Sequence, residues 1–407
     1  MSMDNKVPEI RFKGFSGEWV EHSWSNTVDV STNMVDPRNS QYEELFHVGP
    51  GNIESFTGRF YNNVLKVKDS NLISGKFHFN NGDIIYGKIN PQLAKYVIAP
   101  FEGLASADAY VLNAKNGVIQ NYLFAILHTK EFYKYTVSVS SRTGMPKINR
   151  DELNTYSYMA PSESEQTAIG KFFQKLDVLI NKHKKKHGKL SSIKKAMLEK
   201  MFPKQGKTIP EIRFKGFSGE WEEKMLGTDI AEIIGGGTPS TSISEFWDGD
   251  IDWYSPTEIG ENVYAKGSQK KITPLGLKSC SAKILPAGNT VLFTSRAGIG
   301  DMAILTKPGS TNQGFQSIIV KEGYSPYFIF SAGKQIKDFA LKHASGSTFL
   351  EISGKQLGRM KILMPSLEEQ TAIGNYFEKL DSLINQYQQQ ITKLNNIKQA
   401  CLSKMFV

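Results

Sequence analysis

Cysteine is scarce in this 407-residue chain, which contains only Cys280 and Cys401. Two isolated thiols supply neither a disulfide framework nor a cysteine-based zinc site, so we expect both to be reduced and without a functional role. Long apolar runs are missing as well: no stretch of about 18 apolar residues occurs, and the opening "MSMDNKVPEI" lacks the apolar core of a signal peptide. These absences predict a cytoplasmic protein that is neither secreted nor inserted in a membrane.

Glycine motifs that bind phosphate groups are present only in part. Gly298, Gly300 and Ala303 have the spacing of a dinucleotide loop, but the following "DMAILT" is typical of a strand where a helix N-terminus is needed. "QGKT" at 205–208 ends like a phosphate-binding loop, although Met201 occupies the place of its first glycine. A tight hairpin and a polar linker are the favoured interpretations, and no nucleotide site is predicted.

Motifs for metal binding and methyl transfer are also incomplete. His183 and His187 lie four residues apart on a predicted helix, but no glutamate stands between them and no third ligand is near. "NPQL" at 90–93 approaches the Asn-Pro-Pro-Tyr motif of amino-group methyltransferases, yet it lacks the second proline and the aromatic ring. We therefore predict no catalytic residue, no bound metal and no bound cofactor, and expect any catalysis on another chain.

An internal duplication organises the sequence. "PEIRFKGFSGEW" occurs at 8–19 and again at 210–221, and the block at 165–203 closely matches the block at 369–407. Between these flanks, about 120 residues in each half share only isolated features. The frame is retained while its contents differ, which predicts two duplicated domains whose middle segments have diverged.

The two closing blocks are predicted to be long helices. Each starts with Pro-Ser and a glutamate three residues after the serine, which is a capping box. Their apolar residues alternate spacings of three and four, which is typical of a coiled-coil seam: Ile169, Phe172, Leu176, Leu179, Leu190, Ile193 and Met197, then Ile373, Tyr376, Leu380, Leu383, Tyr387, Leu394, Ile397 and Cys401. A helix of about 36 residues would be about 54 Å long, and we expect the two to pair because an isolated apolar stripe is unstable in water.

The segments between the flanks mix short β-like runs with helical periodicity, as in "NNGDIIYGK" and "QNYLFAILHTKEFYKYTV". The predicted fold class is α+β: two duplicated mixed α/β domains joined by two long helices that pair as a coiled coil. The predicted boundaries are 1–160 for the first domain, 161–203 for the first long helix, 204–208 for a linker, 209–364 for the second domain and 365–407 for the second long helix.

The whole chain resembles the specificity subunit of a type I restriction–modification system. In the second half the resemblance rests on "GGGTPSTS", "FWDGDIDWYSPTEI", "AKILPAGNTVLFTSRAGIGDMAI", "TNQGFQSI" and "SGSTFLEIS"; in the first half it rests on "HVGPGNIE", "FHFNNGDIIYGKINPQLAKY" and "LASADAYVL". Asn90 and Gln92 depart from the arginine and aromatic residue that the resemblance suggests at these positions.

The resemblance implies a function and a set of partners. Each of the two domains, as a target recognition domain, would read one half of a bipartite asymmetric site on double-stranded DNA. The two long helices would form an antiparallel coiled coil that serves as the spacer. Two DNA adenine methyltransferase subunits using S-adenosylmethionine, and two restriction/translocase subunits using ATP and Mg, would complete the complex. The alternatives are a stand-alone sequence-specific DNA-binding protein and an autonomous DNA-modifying enzyme.

Candidate DNA-contacting residues are polar loop residues of the types that read base edges. In the first domain they are Lys88, Asn90, Lys95, Arg142 and Lys147. In the second they are Thr238, Ser240, Ser295, Arg296, Asn312, Gln313, Ser347 and Thr348. Each could instead be a turn former.

Basic charge is concentrated in one segment. The formal net charge is +9, but residues 1–164 contain 16 basic and 17 acidic side chains, whereas 165–203 contain 10 and 3. Lys184, Lys185 and Lys186 would lie beside "NQYQQQITK" at 385–393, which has no carboxylate. They are possible contacts to DNA phosphates or to a docked subunit; the alternative is a solvated basic helix.

Overall fold

The computed structural model describes residues 6–140, 144–260, 262–296, 298–346 and 350–407. These residues form two compact units, one of residues up to 183 together with 389–407, and one of residues 184–388. Long helix 1, Glu163–Lys200, and long helix 2, Leu367–Lys404, each contribute residues to both units. The architecture is mixed α/β, as predicted.

The described residues of unit 1 form two main sheets and four short α-helices. The four-stranded sheet is antiparallel, in the order Tyr96–Ile98, Ile84–Gly87, Ala109–Ala114 and Val28–Val30. The five-stranded sheet has the order Met34–Val35, Lys76–Phe79, Gly103–Ala105, Phe46–Val48 and Leu65–Lys66. Two-stranded ribbons pair Val20–Ser23 with Ser157–Ala160 and Ile53–Glu54 with Arg59–Phe60. The helices are Trp24–Thr27, Gln120–Leu127, Lys130–Ser140 and Arg150–Asn154.

Unit 2 has a comparable set of elements. Its five-stranded sheet has the order Ala231–Gly235, Gln316–Val320, Thr290–Phe293, Met302–Leu305 and Tyr264–Ala265. A three-stranded sheet contains Lys270–Ile272, Trp247–Tyr254 and Gly309–Thr311, and a ribbon pairs Glu222–Met225 with Lys361–Met364. The helices are Pro274–Lys278, Pro326–Ser331, Gly333–His343 and Gly354–Leu357.

The segment that resembled a dinucleotide loop is followed by a strand, as predicted. "DMAILT" contains the strand Met302–Leu305, which pairs antiparallel with Thr290–Phe293. The segment around Gly298 and Gly300 therefore connects two strands of a hairpin and does not open a helix. This confirms the interpretation of these glycines as turn residues.

The long helices run antiparallel within each unit. In unit 1, Lys398 donates a hydrogen bond of 2.7 Å to Asp177, and the Phe173 ring lies 5.9 Å from that of Phe406. In unit 2, Lys194 pairs with Asp381, and Phe202 lies 6.5 Å from Phe377. In both units, later positions along the first helical block contact earlier positions along the second: 173 lies near 406 and 177 near 398, then 194 near 381 and 202 near 377. The two helices therefore run in opposite directions, which confirms the predicted direction.

The predicted seam is wrong by one residue at an equivalent position of each long helix. Phe173 and Phe377 are buried in the cores, whereas the predicted Phe172 and Tyr376 are only partly buried. The rings of Phe172 and Tyr376 instead lie 5.6 and 5.7 Å from Phe12 and Phe214 of the duplicated opening segment. The helix must bury a second face against that segment, and its stripe is therefore wider than a two-helix seam.

The stripe also differs near residue 180 of long helix 1. Ile180 is 5% exposed and belongs to the buried side, whereas the predicted Leu179 is 42% exposed. Together with Ile169, Phe173 and Leu176, Ile180 continues spacings of four, three and four. The alternation of three and four was predicted correctly, as were the buried Ile169 and Leu176, but Phe172 and Leu179 were each predicted one residue too early.

The opening segments pack against the ends of the long helices. Ile10 donates its backbone N–H to Lys404 in unit 1, and Ile212 donates to Lys200 in unit 2, both at 2.9 Å. Trp19 and Trp221, at the ends of the two segments, are each 2% exposed. The duplicated twelve residues are therefore part of the frame of each unit, as the sequence predicted.

The predicted capping boxes are not completed by glutamate. The carboxylate of Glu165 is bound by the guanidinium of Arg11, and that of Glu369 is bound by Arg213. Ser366 accepts from the backbone N–H of Glu369 at 3.3 Å, which is the serine half of the box. Each guanidinium donates two charge-assisted hydrogen bonds to its carboxylate. These replace the capping-box bond from the glutamate side chain to the backbone N–H of the serine.

Within the described ranges, no helix is long and apolar enough to cross a membrane. Across these same residues, no three His, Cys, Asp or Glu side chains are grouped so that they could hold a metal ion.

Candidate nucleic-acid interface

In unit 1, the predicted contact residues gather where the buried strand Ile84–Gly87 ends. Lys88 follows this strand, donates its backbone N–H to Asp108 and accepts from the N–H of Ile148, both at 3.0 Å. The next residue, Ile89, forms an isolated antiparallel bridge with Lys147. Lys88 and Lys147 are 59 residues apart in sequence but are fixed to adjacent backbone positions.

Unit 2 repeats this arrangement with different side chains. Beyond the strand Thr290–Phe293, Ser295 donates its N–H to Gly314 at 2.8 Å and accepts from Ile352 at 3.1 Å. The next residue, Arg296, forms an isolated antiparallel bridge with Glu351. The duplicated frame therefore holds two equivalent sites, with Lys88 and Lys147 in one, and Ser295 and Glu351 in the other.

The unit 1 site is a focal basic cluster. The Lys88 ammonium lies 5.2 Å from the centre of the Tyr110 ring, which is a cation–π contact. Burial, together with the nearby cations of Lys147 and Arg150, lowers the pKa of Lys88, while Asp108 acts in the opposite direction. Arg150 was not predicted from the sequence. Its guanidinium donates to the Ser31 carbonyl at 3.2 Å, and no local motif indicated that it would join this cluster.

Asn90 and Lys95 lie near the same strand end, and both already make hydrogen bonds within the protein. Asn90 adopts a left-handed conformation with φ of 52°, donates its N–H to Pro146 at 2.7 Å, and accepts from Gln92 at 3.3 Å. The Lys95 ammonium donates to the Pro50 carbonyl at 2.7 Å. Both stay predictions as DNA contacts, and Arg142 lies outside the described residues.

The unit 2 site is built from hydroxyl and amide groups on two loops. Thr238 donates its hydroxyl to the side-chain oxygen of the exposed Gln313. Asn312 accepts from the Gly314 backbone N–H at 2.8 Å, and the hydroxyl oxygens of Ser240 and Ser242 lie 2.8 Å apart. The structure therefore brings the loop at 235–242 together with the loop that follows the strand Gly309–Thr311.

The remaining unit 2 predictions have different settings. Ser295 is fully buried, and its hydroxyl has no hydrogen-bond partner among the described residues. Arg296 is half-buried. Ser347 and Thr348 lie outside the described residues. They follow Ser345, which exchanges two backbone hydrogen bonds of 3.0 Å with Glu351. All four stay predictions as DNA contacts.

Of the three candidate lysines on long helix 1, Lys186 has a defined contact. Its ammonium donates to the Tyr387 hydroxyl at 3.3 Å and lies 5.5 Å from the ring centre. Lys186 therefore lies beside the segment 385–393, as predicted. Lys185 is exposed and Lys184 is partly buried.

A family model assigns this architecture. The type I restriction modification DNA specificity domain matches residues 49–195 and 218–396, which is more than half of the chain. The chain belongs to this family. Both matched stretches include one of the two equivalent strand-end sites.

Individual relatives match shorter or more distant stretches. The specificity subunit of the type I restriction enzyme MjaIX of Methanocaldococcus jannaschii is 38% identical over 193 residues, which cover 46% of this chain and 44% of that protein. The EcoR124I/EcoR124II specificity subunit of Escherichia coli is 34% identical over 176 residues, 41% of this chain and 42% of that protein. The chain spans less than half the length of these two curated relatives.

Longer matches support the fold across the whole chain. The HindI specificity subunit of Haemophilus influenzae is 24% identical over 433 aligned positions, covering 86% of this chain and 90% of that protein. The crystal structure of a type I restriction–modification S subunit from M. genitalium has a TM-score of 0.69 and 14% identity, and covers 98% of this chain and 99% of that one. At this identity, the structural match concerns the fold alone.

Proposed function

We propose that this chain is the DNA specificity subunit of a type I restriction–modification complex and is itself non-catalytic. The observation that carries the proposal is the pair of equivalent strand-end sites. The same backbone hydrogen bonds hold Lys88 in one unit and Ser295 in the other. A shared frame with different side chains is what two readers of different sequences require.

Each unit would read one half of a bipartite site. The first site is basic, through Lys88, Lys147 and Arg150, and suits phosphates or the acceptor edge of guanine. The second presents Thr238, Asn312 and Gln313, whose hydroxyl and amide groups can donate to or accept from base edges. Because the two sets differ, the recognised halves would differ too, and the complete site would be asymmetric.

The long helices would supply both the spacing and the docking surface. At 1.5 Å per residue, a 38-residue helix is about 57 Å long. We propose that this length sets the gap between the half-sites, and that two adenine methyltransferase subunits bind S-adenosylmethionine and dock here. Two restriction/translocase subunits with ATP and Mg would join for cleavage. The cytoplasm is the compartment in which these partners and their DNA would meet.

Reconstitution tests this proposal. The purified chain, candidate methyltransferase subunits, and their mixture are each incubated with genomic DNA and labelled S-adenosylmethionine, and the modified adenines are sequenced. We expect modification from the mixture only, confined to one bipartite sequence. Methyl transfer by the chain alone would instead identify an autonomous enzyme. High-affinity specific binding without any methyltransferase association would identify a stand-alone DNA-binding protein.

A further inference from the structure

The loop at 235–242 of unit 2 begins with three glycines and has little intrinsic order. Consecutive glycines lose more conformational freedom on folding than other residues. They are needed here because the loop passes close to neighbouring backbone. A Cβ on Gly236 would lie 2.0 Å from the Asn312 carbonyl oxygen, and one on Gly237 would lie 2.6 Å from the Ala282 nitrogen. Contacts from outside the loop must therefore fix its position.

Two tryptophans of the strand Trp247–Tyr254 make such contacts. The indole N–H of Trp253 donates to the Gly237 carbonyl at 2.8 Å, and that of Trp247 donates to the Ser240 carbonyl at 3.0 Å. The two rings meet edge to face, with centres 5.1 Å apart and an interplanar angle of 90°. One rigid aromatic pair thus holds the loop at two carbonyls, on either side of Thr238.

The pair is itself held in place. Trp253 is 6% exposed, and the Lys270 ammonium lies 5.8 Å from the Trp247 ring. A tryptophan has only two side-chain torsions, so a buried indole hydrogen bond fixes a carbonyl with little residual freedom. The loop receives its order from these rings.

We propose that Trp253 and Trp247 are positioning residues for base readout by the second recognition domain. Their indole N–H groups fix the backbone on either side of Thr238, and thereby the hydroxyls that reach base edges of the second half-site. This rests on the proposed function, because it concerns how the same site discriminates. Neither tryptophan needs to touch DNA.

The variant Trp253→Phe removes the indole N–H and keeps an aromatic ring. Methylation by the reconstituted complex is measured on the recognised sequence and on single-base changes in each half. We expect discrimination at bases of the second half to fall by about tenfold, since a displaced hydroxyl loses most of a correct base contact. Discrimination in the first half and the salt dependence of binding should be unchanged, because phosphate contacts are retained.

Trp221→Phe is the matched control. Trp221 is in the same unit and is 2% exposed, but its indole nitrogen has no hydrogen-bond partner among the described residues. Its replacement should lower stability without changing discrimination. If both variants reduce discrimination equally in both halves, the tryptophans serve general stability and the proposal fails. Unchanged discrimination in Trp253→Phe would also overturn it.

Two further variants keep the test decisive. Trp247 is less buried than Trp253, so Trp247→Phe serves if Trp253→Phe does not assemble, with the same expected loss confined to the second half. A double-mutant cycle of Trp253→Phe with Thr238→Val should be less than additive if Trp253 acts through this loop; additive losses would contradict that route. Failure of the unaltered complex to modify a bipartite site would count against the proposed function instead.

Discussion

Arg11 donates two hydrogen bonds of 2.7 and 2.6 Å to the carboxylate of Glu165, which lies 154 residues away in the sequence. Arg213 and Glu369 repeat this contact in unit 2, with both hydrogen bonds at 2.6 Å. Both carboxylates are 1% exposed. The arginine belongs to the duplicated dozen residues and the glutamate begins a long helix. The letter-for-letter repeat is therefore explained by an equivalent structural partner in each half.

Arg11→Met should destabilise unit 1 by about 3 kcal/mol, because it leaves the buried Glu165 charge without its guanidinium. Arg213→Met should have a similar effect on unit 2. Urea unfolding followed by hydrogen exchange can report the two units separately. In the double variant Arg11→Met/Glu165→Met, most of the lost stability should return, because no buried charge remains unpaired.

Arg38→Met is the matched control for this pair. Arg38 also binds a carboxylate, that of Asp36, with its shortest hydrogen bond at 2.7 Å, but both groups are largely exposed. Exposed pairs contribute little to stability. If Arg11→Met is no more destabilising than Arg38→Met, the buried pair is not what holds the repeated segment.

The buried ion pairs between the long helices should differ in strength. Lys398 is 7% exposed and burial lowers its pKa, whereas Lys194 is 25% exposed. Asp177→Asn should therefore cost about 3 kcal/mol. Asp381→Asn should cost less, since Lys194 retains solvent and the Tyr327 hydroxyl can still donate at residue 381. Equal losses in urea unfolding would contradict this difference.

The sequence patterns predict the local elements well, but they do not predict most of the long-range contacts. The apolar run in "NTVLFTS" predicts the strand Thr290–Phe293 because alternation and turn residues are local signals. The partner of Arg11 could not be predicted, since nothing local to Arg11 indicates Glu165. The same limit applies to Phe172, which turns toward Phe12 rather than the helix seam, and to Arg150 in the basic cluster.

Acidification should weaken unit 1 through His47. Burial, with a smaller contribution from Lys76, lowers the pKa of His47 to about 4. An unfolded histidine titrates near about 6.5, so between these values the unfolded chain binds a proton that the folded chain does not. The stability contributed by neutral His47 is complete above that range and is lost as the pH falls through it.

His47→Gln should therefore flatten the pH dependence of stability. Comparing urea unfolding at pH 7 and 5, we expect the unaltered chain to lose on the order of 1 kcal/mol more than the variant, after discounting for the partial exposure of the ring. His343→Gln, at an exposed position of unit 2, controls for the loss of one histidine. A pH dependence unchanged by His47→Gln would exclude this residue as its source.

Replacing Lys184, Lys185 and Lys186 with glutamine tests the basic segment of long helix 1. If these lysines bind DNA phosphates, the salt dependence of binding by the assembled complex should become shallower by up to about 0.9 per lost contact. The recognised sequence should be unchanged. Weaker subunit assembly with the same slope would indicate docking, and no change in either would indicate a solvated helix.

Three exposed lysines of unit 2 provide the charge-matched control: Lys283, Lys307 and Lys342. Their replacement with glutamine changes the net charge by the same amount at scattered positions. An equal change of slope in both triple variants would show a general charge effect rather than a local contact.

The central claim is that the two units are independent readers, and exchanging residues 222–358 for the matching region of a relative tests it most directly. The exchange leaves Arg213, Glu369 and both long helices in place. The modified adenines are sequenced in cells expressing the hybrid with its methyltransferase subunits. The account predicts that one half of the bipartite sequence changes, while the other half and the gap stay the same. A change in both halves, or in the gap, would contradict it.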